Sequence, residues 1–376
     1  MNYVQRKLES QIVNKMFHNN IIVLYGPRQA GKTTLVKKIL TSFAEKGLYW
    51  NCEDPEIFSI LASFKIDAIF EYFKDKKVVV FDEAQRIPNI GLLLKLLFDT
   101  YPQIQYIATG SSSFELSQQV GEPLVGRSWE FVLYPFGITE IATDIISRKK
   151  ILPTTLVYGL YPEIWKLNNE EKEQKLKIIA NQFLAKDLLI FEGIRNAVVL
   201  NDILRLLAGQ IGNEVSYNEI ATLLGISRQT VQRYIDILEK SFVIFRLYSY
   251  RRNIRGRVGR KFKVYFNDLG IRNALINQFA SIDLSLRQDS GHLWENFCIL
   301  ERKKINSYTN KQPSTFFWRG DSSEVDYLEE EKGEIMAYEC KLNVNARISS
   351  VNAFKKEVKP KILELINPET IENFLK

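Results

Sequence analysis

The segment from Gly26 to Thr33 reads Gly-Pro-Arg-Gln-Ala-Gly-Lys-Thr, a spacing of glycine, lysine and hydroxyl groups that suits a phosphate chain. It matches the pattern G-x-x-x-x-G-K-[ST] at every required position. Glycines let backbone N–H groups turn toward phosphates, the lysine reaches the β- and γ-phosphates, and the next hydroxyl binds Mg²⁺. Lys32 is therefore a predicted catalytic residue and Thr33 a predicted metal ligand. The predicted nucleotide-binding residues are Gly26, Pro27, Arg28, Gln29, Ala30, Gly31, Lys32, Thr33 and Thr34.

An acidic pair, Asp82 and Glu83, follows the apolar stretch Lys77–Phe81. Asp82 is predicted to hold Mg²⁺, and Glu83 to polarise the attacking water as a general base. A small-molecule kinase does not need the second carboxylate, because its substrate supplies the nucleophile. The pair therefore favours ATP hydrolysis over phosphoryl transfer to a small molecule.

Two other positions are candidates for the same reaction. Ser111 or Ser112, in Thr-Gly-Ser-Ser-Ser, could sense the γ-phosphate, or the segment could be a plain serine-rich turn. Arg127, in Val-Gly-Arg-Ser, could supply positive charge to a transition state in its own chain or in a neighbouring subunit. An ordinary surface arginine is the alternative for Arg127.

Residues 1–140 alternate short apolar runs with helical patterns. The apolar runs are nearly continuous, which is typical of parallel strands buried between helices. We therefore expect a parallel α/β sheet that places the glycine-rich loop between its first strand and the next helix. The predicted strands are Ile21–Tyr25, Gly47–Cys52, Lys77–Phe81 and Ile104–Thr109.

The glycine-rich loop, the Phe-Asp-Glu-Ala-Gln of the third strand and the Thr-Gly-Ser-Ser-Ser segment together resemble bacterial and archaeal AAA-superfamily ATPases. More narrowly, they resemble the group with a DUF4143 C-terminal region, whose short motifs match Gly159–Glu163 and Tyr265–Gly270. The resemblance implies ATP and Mg²⁺ as cofactors. It also implies ATP binding by Gly31, Lys32 and Thr33, with Asp82 at the metal and Glu83 at the water.

Residues 216–240 have the pattern of a helix-turn-helix. Ser216 and Glu219 form a capping box that starts one helix, and Gly225 can adopt the left-handed conformation of the turn. In the second helix, Val231, Ile235 and Leu238 form an apolar face. The opposite face is where a recognition helix meets base edges. Its polar residues are Arg228, Gln229, Gln232 and Arg233, of which Arg228 and Gln232 are the predicted nucleic-acid contacts.

A basic ribbon follows at residues 242–268, with two predicted strands around a glycine-containing loop. A phosphate backbone is the natural partner of such a ribbon, and DNA is favoured over RNA. Winged helices also serve as protein-binding modules or lids, and Arg251 or Arg252 could instead reach back to ATP. The basic residues are Arg251, Arg252, Arg255, Arg257, Arg260, Lys261 and Lys263, and the first three are the predicted phosphate contacts.

The stretch from Glu324 to Lys341 has the pattern of two strands around a charged turn. The closing segment resembles the restriction-endonuclease-like fold. That resemblance implies an acidic residue on a helix, an aspartate on one strand and Glu-x-Lys on the next. Carboxylates bind a hard divalent ion through oxygen, and a nearby lysine can orient water. The matching residues are Glu295, Asp326, Glu339 and Lys341, although Val325 stands where the family often has proline.

An ordinary charged hairpin is the alternative for this stretch, and it would scatter its charges outward. A metal site would instead bring Glu295, Asp326, Glu339 and Lys341 into one cleft. We expect that convergence, with the turn Glu329–Lys332 pointing away from the cleft, and leave open whether the cleft cuts nucleic acid.

Bulk composition limits the remaining choices. The chain has 376 residues and a modest net charge of +7, so only local clustering argues for a polyanionic partner. Three scattered cysteines and two histidines argue against a disulfide framework or a cysteine–histidine metal site. The sequence shows no apolar signal core and no apolar run that would span a bilayer. These features predict a cytoplasmic protein without a membrane partner.

We expect an α/β multidomain fold with a P-loop parallel sheet, a helical winged-helix domain and a restriction-endonuclease-like domain. The leading functional hypothesis is an ATPase that acts on nucleic acid, with hydrolysis coupled to domain rearrangement or to homo-oligomer assembly. The alternative is an ATP-switched regulator or scaffold that binds proteins. The predicted boundaries are 1–145 for the ATPase domain, 146–175 for a linker, 176–285 for the winged helix and 286–376 for the nuclease-like domain.

Overall fold

A computed structural model describes residues 3–110, 123–182, 196–251, 261–281, 287–321, 323–348 and 352–376. The chain divides into two compact units. The first comprises Met1–Phe136 with Lys240–Phe242, and the second comprises Gly137–Glu239 with Val243–Lys376. Residues 137–145 of the predicted ATPase domain therefore belong to the second unit. In the described part of the chain, no helix is both long and apolar enough to cross a bilayer.

Helices and strands alternate along the first unit, as the apolar runs predict. Its helices are α1 (Lys7–Lys15), α2 (Lys32–Leu40), α3 (Pro55–Ala62), α4 (Ile66–Glu71) and α5 (Ile90–Thr100). Its strands are β1 (Ile21–Tyr25), β2 (Gly47–Asn51), β3 (Val78–Asp82), β4 (Gln105–Gly110) and β5 (Ser128–Val132).

The five strands of the first unit form one parallel sheet in the order β2-β3-β4-β1-β5. Every residue of β1, β3 and β4 is buried, because helices cover the central strands. Since parallel strands end at the same edge, the C-terminal ends of β1, β3 and β4 lie side by side. That edge is where open α/β sheets bind ligands.

The second unit combines helices with a second sheet. Its helices are α6 (Ile138–Ile141), α7 (Ile145–Tyr158), α8 (Pro162–Trp165), α9 (Asn169–Gln182), α10 (Ala197–Gly209), α11 (Tyr217–Leu224), α12 (Arg228–Lys240), α13 (Leu269–Leu275), α14 (Ser290–Tyr308), α15 (Asn352–Val358) and α16 (Ile371–Phe374). Its strands are β6 (Glu214–Val215), β7 (Ile244–Ser249), β8 (Phe262–Phe266), β9 (Ser314–Arg319), β10 (Glu324–Glu331), β11 (Glu334–Cys340) and β12 (Ile362–Ile366).

Those seven strands form one mixed sheet in the order β12-β11-β10-β9-β7-β8-β6. The two strands of the basic ribbon, β7 and β8, pair antiparallel. β7 also pairs with β9 in parallel, with Tyr248 opposite Phe316. The ribbon and the strands of the closing segment therefore share a single sheet.

The charged stretch that follows β9 is a hairpin. β10 and β11 pair antiparallel, and β10 continues through Glu331. Lys332 and Gly333 make the turn, both with positive φ, as a two-residue hairpin turn requires. The expected turn at Glu329–Lys332 is therefore wrong in its extent. Glu329 lies within the strand and is buried, where it forms an ion pair of 2.8 Å with Arg302.

The two short motifs of the C-terminal resemblance contact each other. Asp268 Oδ2 accepts a hydrogen bond of 2.8 Å from the Leu160 N–H, and Asp268 Oδ1 accepts one of 3.1 Å from the Ile271 N–H at the start of α13. Burial raises the pKa of Asp268 to about 6. Gly270 belongs to the same contact, since a Cβ on it would lie 2.2 Å from the Tyr158 carbonyl oxygen. The motifs thus have a structural role, joining α13 to the end of α7.

Gly270→Ala is expected to destabilise the second unit by about 1–3 kcal/mol, because the new methyl group meets backbone that has little room to move. The matched control is Gly209→Ala in α10, where a Cβ would meet no heavy atom within 4 Å. The control should be neutral or stabilising by up to about 1 kcal/mol. Chemical denaturation of both variants measures the difference, and equal stabilities would contradict the close approach.

Candidate functional site

The glycine-rich loop after β1 has a backbone that few side chains tolerate. Gly26, Gln29 and Gly31 have φ values of 150°, 60° and 98°. A Cβ on Gly26 would lie 2.2 Å from the Leu133 carbonyl oxygen, so this position requires glycine. Gly31 is the N-cap of α2, and the loop therefore ends at a helix N-terminus, which favours anions.

Lys32 is buried beneath this loop. Its Nζ donates hydrogen bonds of 2.8 Å to the Gly26 carbonyl and 3.0 Å to the Pro27 carbonyl. These contacts hold the ammonium group against the two residues that open the loop. The positive charge is thus in place before a phosphate chain arrives.

The second motif reaches the first through Asp82. The Thr33 hydroxyl donates a 2.6 Å hydrogen bond to Asp82 Oδ2, although the two residues are 49 positions apart. A hydroxyl and a carboxylate in contact are the hard oxygen donors that Mg²⁺ takes in nucleotide sites. The residues present therefore fit the ion that the motif implies.

Two residues that the sequence reasoning missed also hold Asp82. The Tyr49 hydroxyl on β2 donates a 2.6 Å hydrogen bond to Asp82 Oδ2, and Thr109 on β4 donates to Asp82 Oδ1. Burial, together with the bond to Asp82, raises the pKa of Tyr49, so its hydroxyl remains a donor. Thr109 is the threonine of the Thr-Gly-Ser-Ser-Ser segment, one position before the glycine. Its hydroxyl is the sequence feature that could have identified it as a partner of Asp82.

Glu83 follows Asp82 in a left-handed conformation, with a φ of 52°, and is partly exposed. The Gln85 side chain donates a 2.6 Å hydrogen bond to Glu83 Oε2, and the Glu83 N–H donates to the Thr109 hydroxyl at 3.2 Å. Glu83 is therefore anchored at the same sheet edge as the loop. This is where a general base for water would have to lie.

The serines at positions 111 and 112 and the arginine at position 127 were the other candidates for ATP hydrolysis. Ser111 and Ser112 lie outside the described residues. Arg127 precedes β5, whose Ser128 is opposite Ile21 at the start of β1, so roughly 16 Å of strand separates it from the loop. It forms an exposed 3.0 Å ion pair with Asp99. This place does not support a role of Arg127 at the loop of its own chain, and a role in a neighbouring subunit stays a prediction.

In the second unit, the structure brings together the four side chains of the predicted acidic cleft. Lys341 Nζ lies 2.7 Å from Glu339 Oε1 and 3.8 Å from Asp326 Oδ2. Carboxylate oxygens of Glu295, Glu324 and Asp326 lie within 4.8 Å of one another. Glu324 was not predicted, although its place two residues before Asp326 puts it on the same face of β10.

Glu295, on α14, is held by the ribbon strand β8. Its Oε1 accepts hydrogen bonds of 3.0 Å from Lys263 Nζ and 2.5 Å from the Tyr265 hydroxyl. Its Oε2 lies 3.7 Å from His292 Nδ1. Burial alone would raise the pKa of Glu295, but Lys263 and the hydrogen bonds lower it to about 2.

The opposite half of the cleft has fewer partners. Asp326 Oδ2 accepts the Cys340 N–H at 2.8 Å, and burial with repulsion from Glu295 and Glu339 raises the pKa of Asp326. Glu339 Oε2 is buried and has no hydrogen-bond partner among the described residues. Asp326 and Glu339 thus have oxygens suited to a cation. Glu295 is already paired, so the full set does not fit the metal centre that the resemblance implies.

The predicted helix-turn-helix has the expected faces. Val231, Ile235 and Leu238 are buried in α12, while Arg228 and Gln232 are exposed. Arg228 lines a cavity of about 380 Å³ at the start of α11, which Lys261 at the start of β8 also lines. Arg251 is exposed, and Arg252 and Arg255 lie outside the described residues.

Three family models match successive parts of the chain. Residues 18–142 match an AAA domain, residues 149–282 match a domain of unknown function, DUF8612, and residues 290–369 match another, DUF4143. The first match contains the loop, Asp82 and Glu83, and the third contains the acidic cleft except for Lys263.

Curated relatives are similar to this chain over most of their length. An uncharacterized protein of Methanocaldococcus jannaschii is 25% identical, over 95% of this chain and 83% of its own. An uncharacterized protein of Mycobacterium tuberculosis is 27% identical, over 88% of this chain and 72% of its own.

Solved structures give more distant likenesses. The RuvB Holliday junction branch migration motor of Thermotoga maritima is 19% identical with a TM-score of 0.31, over 64% of this chain and 86% of that one. The Pif1 helicase of Candida albicans is 14% identical with a TM-score of 0.26, over 51% of this chain and 56% of that one. Scores this low say nothing about what this chain acts on. From the family models and the loop geometry, the chain carries a P-loop AAA domain at residues 18–142 and a DUF4143 domain at residues 290–369.

Proposed function

We propose that the first unit hydrolyses ATP, and the observation that carries this proposal is the hydrogen bond between Thr33 and Asp82. This bond joins the end of the phosphate loop to the end of β3. The Thr33 hydroxyl and the Asp82 carboxylate are therefore close enough to bind one Mg²⁺ ion together. The bound ion would supply charge neutralisation between the β- and γ-phosphates.

The remaining roles belong to this chain's own side chains. Lys32 releases the Gly26 and Pro27 carbonyls and turns its ammonium to the phosphates. Glu83, held by Gln85, orients a water and accepts its proton.

The Asp82 carboxylate is kept in one orientation by Tyr49 and Thr109, because each donates a hydrogen bond to a different oxygen of it.

Lys32→Ala is expected to weaken ATP binding by about 10- to 100-fold, since it removes one charge-assisted contact to the phosphates. Lys38→Ala is the matched control, because Lys38 is exposed on the same helix. Equilibrium titration with a fluorescent ATP analogue measures both variants. Equal affinities would contradict the assignment of the loop.

Glu83→Gln is expected to retain ATP binding and to lower the turnover rate by about 10²- to 10⁴-fold, because only the base is removed. Glu71→Gln on α4, an exposed carboxylate paired with Lys74, is the control and should turn over at the wild-type rate. Phosphate release under saturating ATP gives the rates. An undiminished rate in Glu83→Gln would exclude it as the base.

We further propose that the second unit binds nucleic acid, DNA rather than RNA, through α12 and the basic ribbon. The supporting observation is that Arg228 of α12 and Lys261 of the ribbon line one cavity. A recognition helix and a flanking basic strand on one surface suit a duplex, with base edges and phosphates contacted side by side. Glu214 reduces the positive charge there, since it pairs with Lys261 at 2.8 Å. The protein-scaffold alternative remains the outcome if no nucleic acid binds.

Replacing Arg251, Arg252 and Arg255 by alanine is expected to flatten the salt dependence of DNA affinity, by about one unit of log–log slope for each lost phosphate contact. Arg228→Ala and Gln232→Ala should instead alter preference among duplex sequences. Replacing three exposed lysines elsewhere on the second unit, Lys149, Lys150 and Lys356, controls for net charge. Fluorescence anisotropy over a salt series measures all of these. Absence of binding at about 50 mM salt would favour the scaffold.

A further inference from the structure

Lys263 is a buried lysine in the acidic cleft, and it comes from outside the segment that supplies the four predicted cleft residues. It lies on β8 of the basic ribbon, whereas Glu295 lies on α14 and Asp326 on β10. Only 2% of Lys263 is exposed. A lysine is almost never buried to this extent unless its charge is paired, so its partners define its role.

The partners of Lys263 are two carboxylates of the trio that converges in the cleft. Its Nζ lies 3.0 Å from Glu295 Oε1 and also forms an ion pair with Glu324. Oxygens of these two residues lie within 4.8 Å of an oxygen of Asp326. The ammonium therefore occupies the region where a divalent ion bound by the trio would have to lie.

The neighbouring residues fix this arrangement. Tyr265, two residues along β8, bonds the same oxygen of Glu295. The Asn296 side chain accepts from the Phe266 N–H at 2.8 Å and donates to the Phe266 carbonyl at 2.9 Å, which ties α14 to β8. The backbone positions of Lys263 and Glu295 are therefore fixed relative to each other, which keeps the ammonium group beside the carboxylate.

We propose that the Lys263 ammonium is the resident cation of this cleft and excludes a divalent metal ion from the position among Glu295, Glu324 and Asp326. The cleft has the carboxylates of a metal site, but the positive charge among them is that of the Lys263 ammonium group. Four carboxylates, those of Glu295, Glu324, Asp326 and Glu339, face two ammonium groups, those of Lys263 and Lys341, and the half-exposed guanidinium of Arg319, which lies 3.3 Å from Glu324. Loss of Lys263 would leave a strongly acidic, preformed site for a hard cation such as Mg²⁺ or Mn²⁺.

The test is calorimetric titration of Mn²⁺ into the nucleotide-free full chain. Lys263→Met and Lys263→Gln are expected to bind Mn²⁺ at least about tenfold more tightly than wild type, because one positive charge beside the ion is gone. Adding Asp326→Asn to either variant should abolish the gain, which assigns the ion to this cleft and not to the phosphate loop. Lys361→Gln is the matched control, since Lys361 also pairs with a glutamate but is 59% exposed. It should bind Mn²⁺ as wild type does.

Lys263→Met leaves two carboxylates without their cation and could unfold, whereas Lys263→Gln keeps a hydrogen-bond donor at the same place. Circular dichroism establishes which variants are folded, and thermal unfolding with and without Mn²⁺ gives a second readout. Mn²⁺ should raise the melting temperature of a folded Lys263 variant by several degrees more than that of wild type. Equal Mn²⁺ affinity of wild type and the variants, or no Mn²⁺ binding by a folded variant, would overturn the proposal.

The wild-type chain provides an independent measurement that needs no Lys263 variant. If Lys263 excludes the metal from the position among Glu295, Glu324 and Asp326, Mn²⁺ should stabilise wild type and Glu324→Gln equally. Mn²⁺-dependent stabilisation that is present in wild type and absent in Glu324→Gln would contradict the proposal.

Discussion

The buried carboxylate of Asp82 is the point around which the first unit is organised. A carboxylate out of contact with water is costly unless hydrogen bonds satisfy its oxygens. Here the donors are Thr33, Tyr49 and Thr109, which lie on α2, β2 and β4. The sheet order brings those elements to one edge, so satisfying a single side chain fixes the relative positions of the loop, the acidic pair and the neighbouring strands.

The same constraint operates in the second unit with a different solution. Glu295 is buried, and it is satisfied by an ammonium group and a phenol from β8. Glu329 is likewise satisfied by Arg302, Asn306 and Tyr327. Such clusters are sensitive to the loss of one partner, because the remaining charge is then buried alone. Charge pairing, as well as apolar packing, therefore holds α14 against the sheet.

The loop and the acidic pair of the candidate nucleotide site could be located from sequence because they are local patterns: a run of eight residues and two carboxylates at the end of an apolar run. The four predicted strands of the first unit match β1 to β4 to within one residue at each end for the same reason, whereas β5 was not predicted. Tyr49, Thr109 and Lys263 could not be assigned, since their roles depend on strand order and register. The distance of Arg127 from the loop could not be foreseen, because a sequence does not show at which edge of a sheet a residue lies. The prediction that Glu329 lies in the turn was wrong because its partner, Arg302, lies on another element, and the sequence does not show that the two are close.

The pairing of β7 with β9 determines how this chain can be divided into expressible fragments. A fragment that begins at residue 286 would keep β9–β12 but lose β7, leaving the peptide groups of β9 unpaired along one side. An uncovered strand of this kind recruits other chains and aggregates. A fragment that begins at Gly137 keeps all seven strands. The DUF4143 match at residues 290–369 thus marks a unit of homology that is smaller than the compact unit to which it belongs.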